Sequence, residues 1–215
     1  MPNQPIAQTL LEAQVALDNA LTDPALITAL AAFGYDADRL NEGKALYDAA
    51  ATLQSAQQSE YGEQLSASAA FKEAHAAARE VYVRHLTLAR LAFKQDAGAL
   101  AGMKLTGRRK TSFSGWLEQA EQMYDGLLSK DAWKAAMASF GQDEASLQEG
   151  KRLLEVVAAA NTVHQQEKGE AQKATQDRDK ALDALAEWMS DFRTVARLAL
   201  ADDPQQLEKL GIVAR

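Results

Sequence analysis

The chain is predicted to be all-α and internally duplicated, and three observations carry that prediction. Apolar residues recur at helical spacing, as in Leu10, Ala13, Leu17 and Leu21. No proline interrupts the long run from Asp36 to Asp96. The fourteen residues "FGYDADRLNEGKAL" from Phe33 return as "FGQDEASLQEGKRL" from Phe140, and both copies read as a helix stop followed at once by a helix start.

The repeat reaches well beyond that stretch. Phe33 to Phe140 is an offset of 107 residues (140 − 33 = 107), and the same offset carries Leu10 to Leu117, Gly62 to Gly169, and "TLARLAFKQD" from Thr87 onto "TVARLALADD" from Thr194. Residues 1–107 and 108–215 are therefore read as two helical repeats, packed together as one structural unit. A pseudo-twofold relation between them is the geometry a duplicated unit ordinarily adopts.

Within the first copy, helical spacing runs from Ile6 to about Leu21, "TDP" stops it, and a short second helix reaches Phe33. Gly34 sits where a left-handed helix-ending residue belongs, and Asp36 where a side-chain cap belongs; Gly141 and Asp143 repeat the pair. Lys44 with Asp48, and Lys151 with Glu155, have four-residue ion-pair spacing. Gly43 and Gly150 lie inside helical patterns, where glycine costs about 1 kcal/mol relative to alanine. Each falls beside the apolar stripe, so a close approach by another helix is the expected compensation.

The long proline-free run has a polar centre around Gly62, and its copy around Gly169. Two architectures fit. In one, the chain turns near residues 62–69, each repeat becomes a helical hairpin, and two hairpins form a four-helix bundle with additional short helices. That turn would set Glu42 opposite Arg90, and Glu149 opposite Arg197, as inter-helix ion pairs. In the alternative, two very long helices run through the glycines, with helical clusters at their ends. The hairpin is preferred, because exposed helices that long are uncommon in compact proteins.

Composition narrows the function classes. A net charge of −7 opposes binding to nucleic acid, and the absence of cysteine removes disulfides, thiolate metal sites and cysteine nucleophiles. No stretch approaches the length of a membrane span, so no membrane insertion and a cytoplasmic location are expected. The basic run "GRRKTSFSGW" at the junction of the copies reads as an exposed connection, with Ser112 or Ser114 capping the helix that carries Trp116. Trp116, Trp133 and Trp188 fall in helical patterns as core residues.

Candidate chemistry is sparse. His75, Tyr82 and His85 share a helical face and are the candidates for a cofactor- or haem-facing cluster, but the copy places Leu182, Met189 and Phe192 at those positions, which reads as core. None of His75, His85 and His164 has a glutamate three residues before it, as a di-iron bundle requires. His164 falls in the polar centre and is expected to be solvated. Glu60, Glu63, Glu167 and Glu170 flank the central glycines, where four acids could collect a hard cation. An enzyme using Glu42 and Glu149 would need both acids unpaired. No phosphate-binding loop, nucleophile elbow or zinc spacing is present.

The expected function is therefore that of a non-enzymatic interaction or scaffold protein, binding another protein or a second copy through a helical face, with no cofactor predicted. A metal- or cofactor-binding bundle using the His/Tyr cluster is the alternative.

Overall fold

The computed structural model describes residues 5–213, which form eight helices and no strand. These are α1 (Ile6–Thr22), α2 (Pro24–Ala31), α3 (Ala37–Ala92), α4 (Ala97–Gly102), α5 (Phe113–Ser129), α6 (Asp131–Ala138), α7 (Glu144–Ala199) and α8 (Gln205–Lys209). The bounds of α5, α6 and α7 are those of α1, α2 and α3 displaced by the 107 residues of the sequence offset.

The hairpin expectation is corrected here. Both α3 and α7 are unbroken helices of 56 residues that pass straight through Gly62 and Gly169. Neither glycine has a positive φ. A glycine inside a helix costs only about 1 kcal/mol, too little to force a turn where neighbouring residues form helix on both sides. The architecture is the one with two very long helices, and the ion pairs that depended on the turn do not form. Glu42 and Arg90 lie on the same unbroken helix. Arg90 instead donates from Nε to the Leu105 carbonyl at 2.6 Å. Glu149 receives two 2.7 Å hydrogen bonds from Arg152, one turn along its own helix, and Arg197 is exposed.

Two compact units divide the chain, and their limits cut across the sequence copies. The first comprises Met1–Gly62 and Gly169–Arg215; the second is Glu63–Lys168. Each thus takes two short helices from one copy (α1 and α2, or α5 and α6), a third from the other copy (α8, or α4), and a segment of long helix from both. In the first, Leu17 from α1, Leu26 and Leu30 from α2, Leu40 from α3 and Phe192 from α7 are fully buried together. In the second, Tyr124 and Leu127 from α5, Met137 from α6, Leu147 from α7 and Ala89 from α3 are equally inaccessible.

Local chemistry accounts for the helix ends. Gly34 (φ 82°) and Gly141 (φ 74°) adopt the left-handed conformation, and the following N–H groups, of Tyr35 and Gln142, donate back to Leu30 and Met137. Asp36 and Asp143 then cap the long helices, accepting from Arg39 N at 3.0 Å and Ser146 N at 2.8 Å. The break between α1 and α2 is made by Asp23, which accepts from Ala25 N at 2.9 Å ahead of Pro24. At the same place in the second copy, Lys130 makes no side-chain cap; its extended backbone alone separates α5 from α6.

The compensation expected at the interior glycines is present in both units. An alanine Cβ at Gly43 would lie 2.5 Å from the Trp188 ring, and one at Gly150 would lie 2.6 Å from Cζ of Tyr124. Bare backbone at each position admits an aromatic ring.

Candidate functional site

All three histidines fall within the second unit. His85, on α3, is fully buried. Its Nδ1 lies 3.0 Å from the Tyr124 hydroxyl of α5, and its Nε2 lies 2.8 Å from Oε1 of Gln142, which precedes α7. Ser146 Oγ, on the first turn of α7, stands 3.3 Å from the same Nε2 and donates to the Gln142 oxygen at 3.0 Å. With that amide oxygen, which can only accept, facing the ring, the hydrogen bonds assign the tautomer in which Nε2 carries the proton and Nδ1 accepts from Tyr124.

Electrostatics keep this group neutral. Burial lowers the His85 pKa below its ordinary value; the Gln142 hydrogen bond opposes the shift and the nearby Arg84 charge adds to it. Burial pushes the Tyr124 phenol far above its usual range. The Ser146–His85 distance resembles that of a nucleophile and its base, but an Nε2 that already carries a proton cannot take one from serine. Both imidazole nitrogens are occupied internally. The arrangement satisfies the polar atoms of a buried ring, with Gln142 and Ser146 partly exposed at its edge, which is the ordinary role of a histidine at a core position.

His75 is placed apart from His85, in a partly buried stack of rings. Its ring is parallel to Phe71 (centroids 5.9 Å, 5°) and meets Trp116 edge-on at 4.6 Å. Burial, then the Arg79 charge, lowers its pKa. Tyr82 accepts a 3.2 Å hydrogen bond from Arg109. The three sequence candidates therefore do not converge on one ligand position.

His164 corrects an expectation of solvation. It too stacks on Phe71 (centroids 5.4 Å, 3°), and its Nδ1 is buried without a hydrogen-bond partner. The cause is tertiary: α7 runs beside α3 within this unit, so a residue in a polar stretch meets an aromatic ring on the neighbouring helix.

Among the acid candidates, Glu60 and Glu170 of the first unit bring carboxylate oxygens within 4.8 Å of each other. Glu167 falls in the second unit. Glu63 is not part of this cluster.

The basic junction is more engaged than an open connection. Arg109 folds back to donate to the carbonyls of Lys104 (2.5 Å) and Thr106 (2.8 Å) as well as to Tyr82, and Lys110 pairs with Glu118. Ser112 caps α5 as expected, accepting from Gly115 N at 3.3 Å. Trp116 is buried, and Trp133 and Trp188 are half-buried.

Sequence reasoning missed Tyr124, Gln142 and Ser146. Their signal was a joint change between the copies: offset by 107, they correspond to Leu17, Tyr35 and Arg39, while His85 corresponds to Phe192. Also missed was an ion pair that both copies share, Lys44 with Asp18 at 3.1 Å and Lys151 with Asp125 at 2.8 Å. Lys44 also makes its expected contact with Asp48, at 3.7 Å.

No family model matches the chain, and no curated protein or solved structure matches it. Among the described residues, no helix is long and apolar enough to cross a membrane.

Proposed function

We propose that this protein is a non-enzymatic interaction or scaffold protein that binds another polypeptide, or a second copy of itself, through a helical face. The observation that carries this reading is a pair of exposed apolar side chains repeated in both copies. In the first unit, Phe33 is 51% and Leu198 61% exposed; in the second, Phe140 is 38% and Leu91 49% exposed. Single exposed apolar residues are ordinary. The same two residue types left in water at matching positions of two copies favour a role outside the chain's own core.

The side chains available for chemistry support the same reading. His85, Tyr124, Gln142 and Ser146 bond to one another, and Glu149 is paired to Arg152. An acid-base role for Glu149 with Glu42 has no support from this pairing.

Native mass spectrometry of the protein purified from its own cells tests the proposal. The expected spectrum contains a second copy or another polypeptide, and the double substitution Phe33→Ser with Phe140→Ser releases it while the helical circular dichroism is unchanged. A monomer that retains a stoichiometric small molecule and no polypeptide would overturn the reading in favour of a cofactor-binding bundle.

A further inference from the structure

We propose that the second unit contains an acid-operated latch at His85, which releases α5 and the start of α7 from α3 when the imidazole gains a proton, while the first unit stays closed. Its basis is placement. His85 is fully buried and joins three elements through its ring: Tyr124 from α5, Gln142 from the segment before α7, and Ser146 from α7. The first unit contains no histidine, and Phe192 stands at the matching position in its core.

The groups around the ring give a proton no counter-charge. Tyr124 is neutral, Gln142 and Ser146 do not titrate, and Arg84 on α3 itself is a like charge. Tyr82, one turn before His85, is committed to Arg109. Acids beside these partners are also committed: Asp143 caps the Ser146 N–H at 2.8 Å, Glu144 pairs with Lys134 at 3.1 Å, and Asp125, next to Tyr124, pairs with Lys151 at 2.8 Å. Protonation would also turn Nδ1 from an acceptor into a donor, so the Tyr124 hydroxyl would have to reorient. A buried charge without a partner is costly, and the fold can relieve it by opening.

The sign follows from linkage. Burial holds the folded pKa of His85 below the unfolded value of about 6.5. The stabilisation is therefore complete above about pH 6.5 and is lost as the pH falls below that toward the folded pKa. One proton changes the opening equilibrium by at most about tenfold per pH unit over that window.

Hydrogen exchange of the whole chain, followed by mass spectrometry at pH 7.5 and 5.5 and corrected for intrinsic rates, reads each unit separately. Peptides from 78–92 and 116–128 are expected to open up to about tenfold more at pH 5.5, and those from 6–31 and 181–199 to change little. The double substitution His85→Phe with Tyr124→Leu, which copies the first unit's Phe192 and Leu17, should flatten the response. A second unit that opens no more at pH 5.5 than the first overturns the proposal, as does a response that the double variant leaves unchanged. Should that variant fail to fold, an NMR titration of His85 in the unaltered protein decides the matter: a midpoint below about 6.5 is expected, and one at or above it overturns the latch.

Discussion

At matching positions of the two units, one core is closed by aromatic packing and the other by hydrogen bonds. In the first, Trp188 and Phe192 stack (5.3 Å, 13°), and Tyr35 meets both rings edge-on at 5.5 Å. In the second, Val81, His85 and Gln142 stand at those three positions, and Tyr124 replaces Leu17. The interior glycine shows the exchange most directly. The ring packed on Gly43 is Trp188, from a long helix, whereas the ring packed on Gly150 is Tyr124, from a short one. A shared backbone frame thus fixes where a ring must enter, not which helix supplies it or whether it is polar. The polar solution adds direction and charge sensitivity that the apolar one lacks.

Six substitutions, grouped in four tests, would break or sharpen this contrast. The largest effect is expected from Phe192→Ala, which empties a fully buried site and should cost about 3–5 kcal/mol. Denaturant unfolding followed by Trp188 fluorescence, in a chain whose other two tryptophans are replaced by phenylalanine, would measure it; a loss below about 1 kcal/mol would mean that the aromatic trio does not close this core.

Alanine at Gly43 or Gly150 should come next. The added Cβ gains about 1 kcal/mol of helix propensity but overlaps a ring that has little freedom to move, so a net loss of about 1–2 kcal/mol is expected at each position. A calorimetric scan that found either variant more stable than the parent would show that the rings can withdraw.

Tyr124→Phe removes only a hydroxyl and leaves the buried Nδ1 of His85 without its 3.0 Å partner, for about 1–2 kcal/mol. Hydrogen exchange should place the loss in the second unit alone, and an equal loss in both units would contradict the division between them.

The smallest effect concerns the shared ion pairs. Lys44→Ala and Lys151→Ala each break a partly exposed pair and should cost no more than about 1 kcal/mol, less at high salt. Matching small losses in both variants are expected from urea titrations at low and high ionic strength.

How much of this was legible beforehand depended on how local the cause was. Gly34, Asp36 and their copies act on their own backbone within a few residues, and the helix ends fall where those residues place them. The companions of His85 are remote in sequence: Tyr124, Gln142 and Ser146 come from other elements, and only the joint departure of four positions from their copies hinted at them. His164 was misread for the same reason, since a polar neighbourhood along the chain says nothing of the phenyl ring on the facing helix.

The sequence by itself determined the helical class, the break after α1 and the stop-start pairs at Gly34 with Asp36 and Gly141 with Asp143, the offset of 107 residues, and the need for something to pack on Gly43 and Gly150; α4 and α8 were not read from it. Only the tertiary structure decided that α3 and α7 continue through Gly62 and Gly169, that each compact unit draws on both copies, and that Arg90 reaches the Leu105 carbonyl and not Glu42. Helix caps are short-range interactions worth about 1 kcal/mol each and are written in neighbouring residues. Whether a helix turns at one permissive glycine is a balance of similar size, settled by how much apolar surface each arrangement buries along the whole length of the helix.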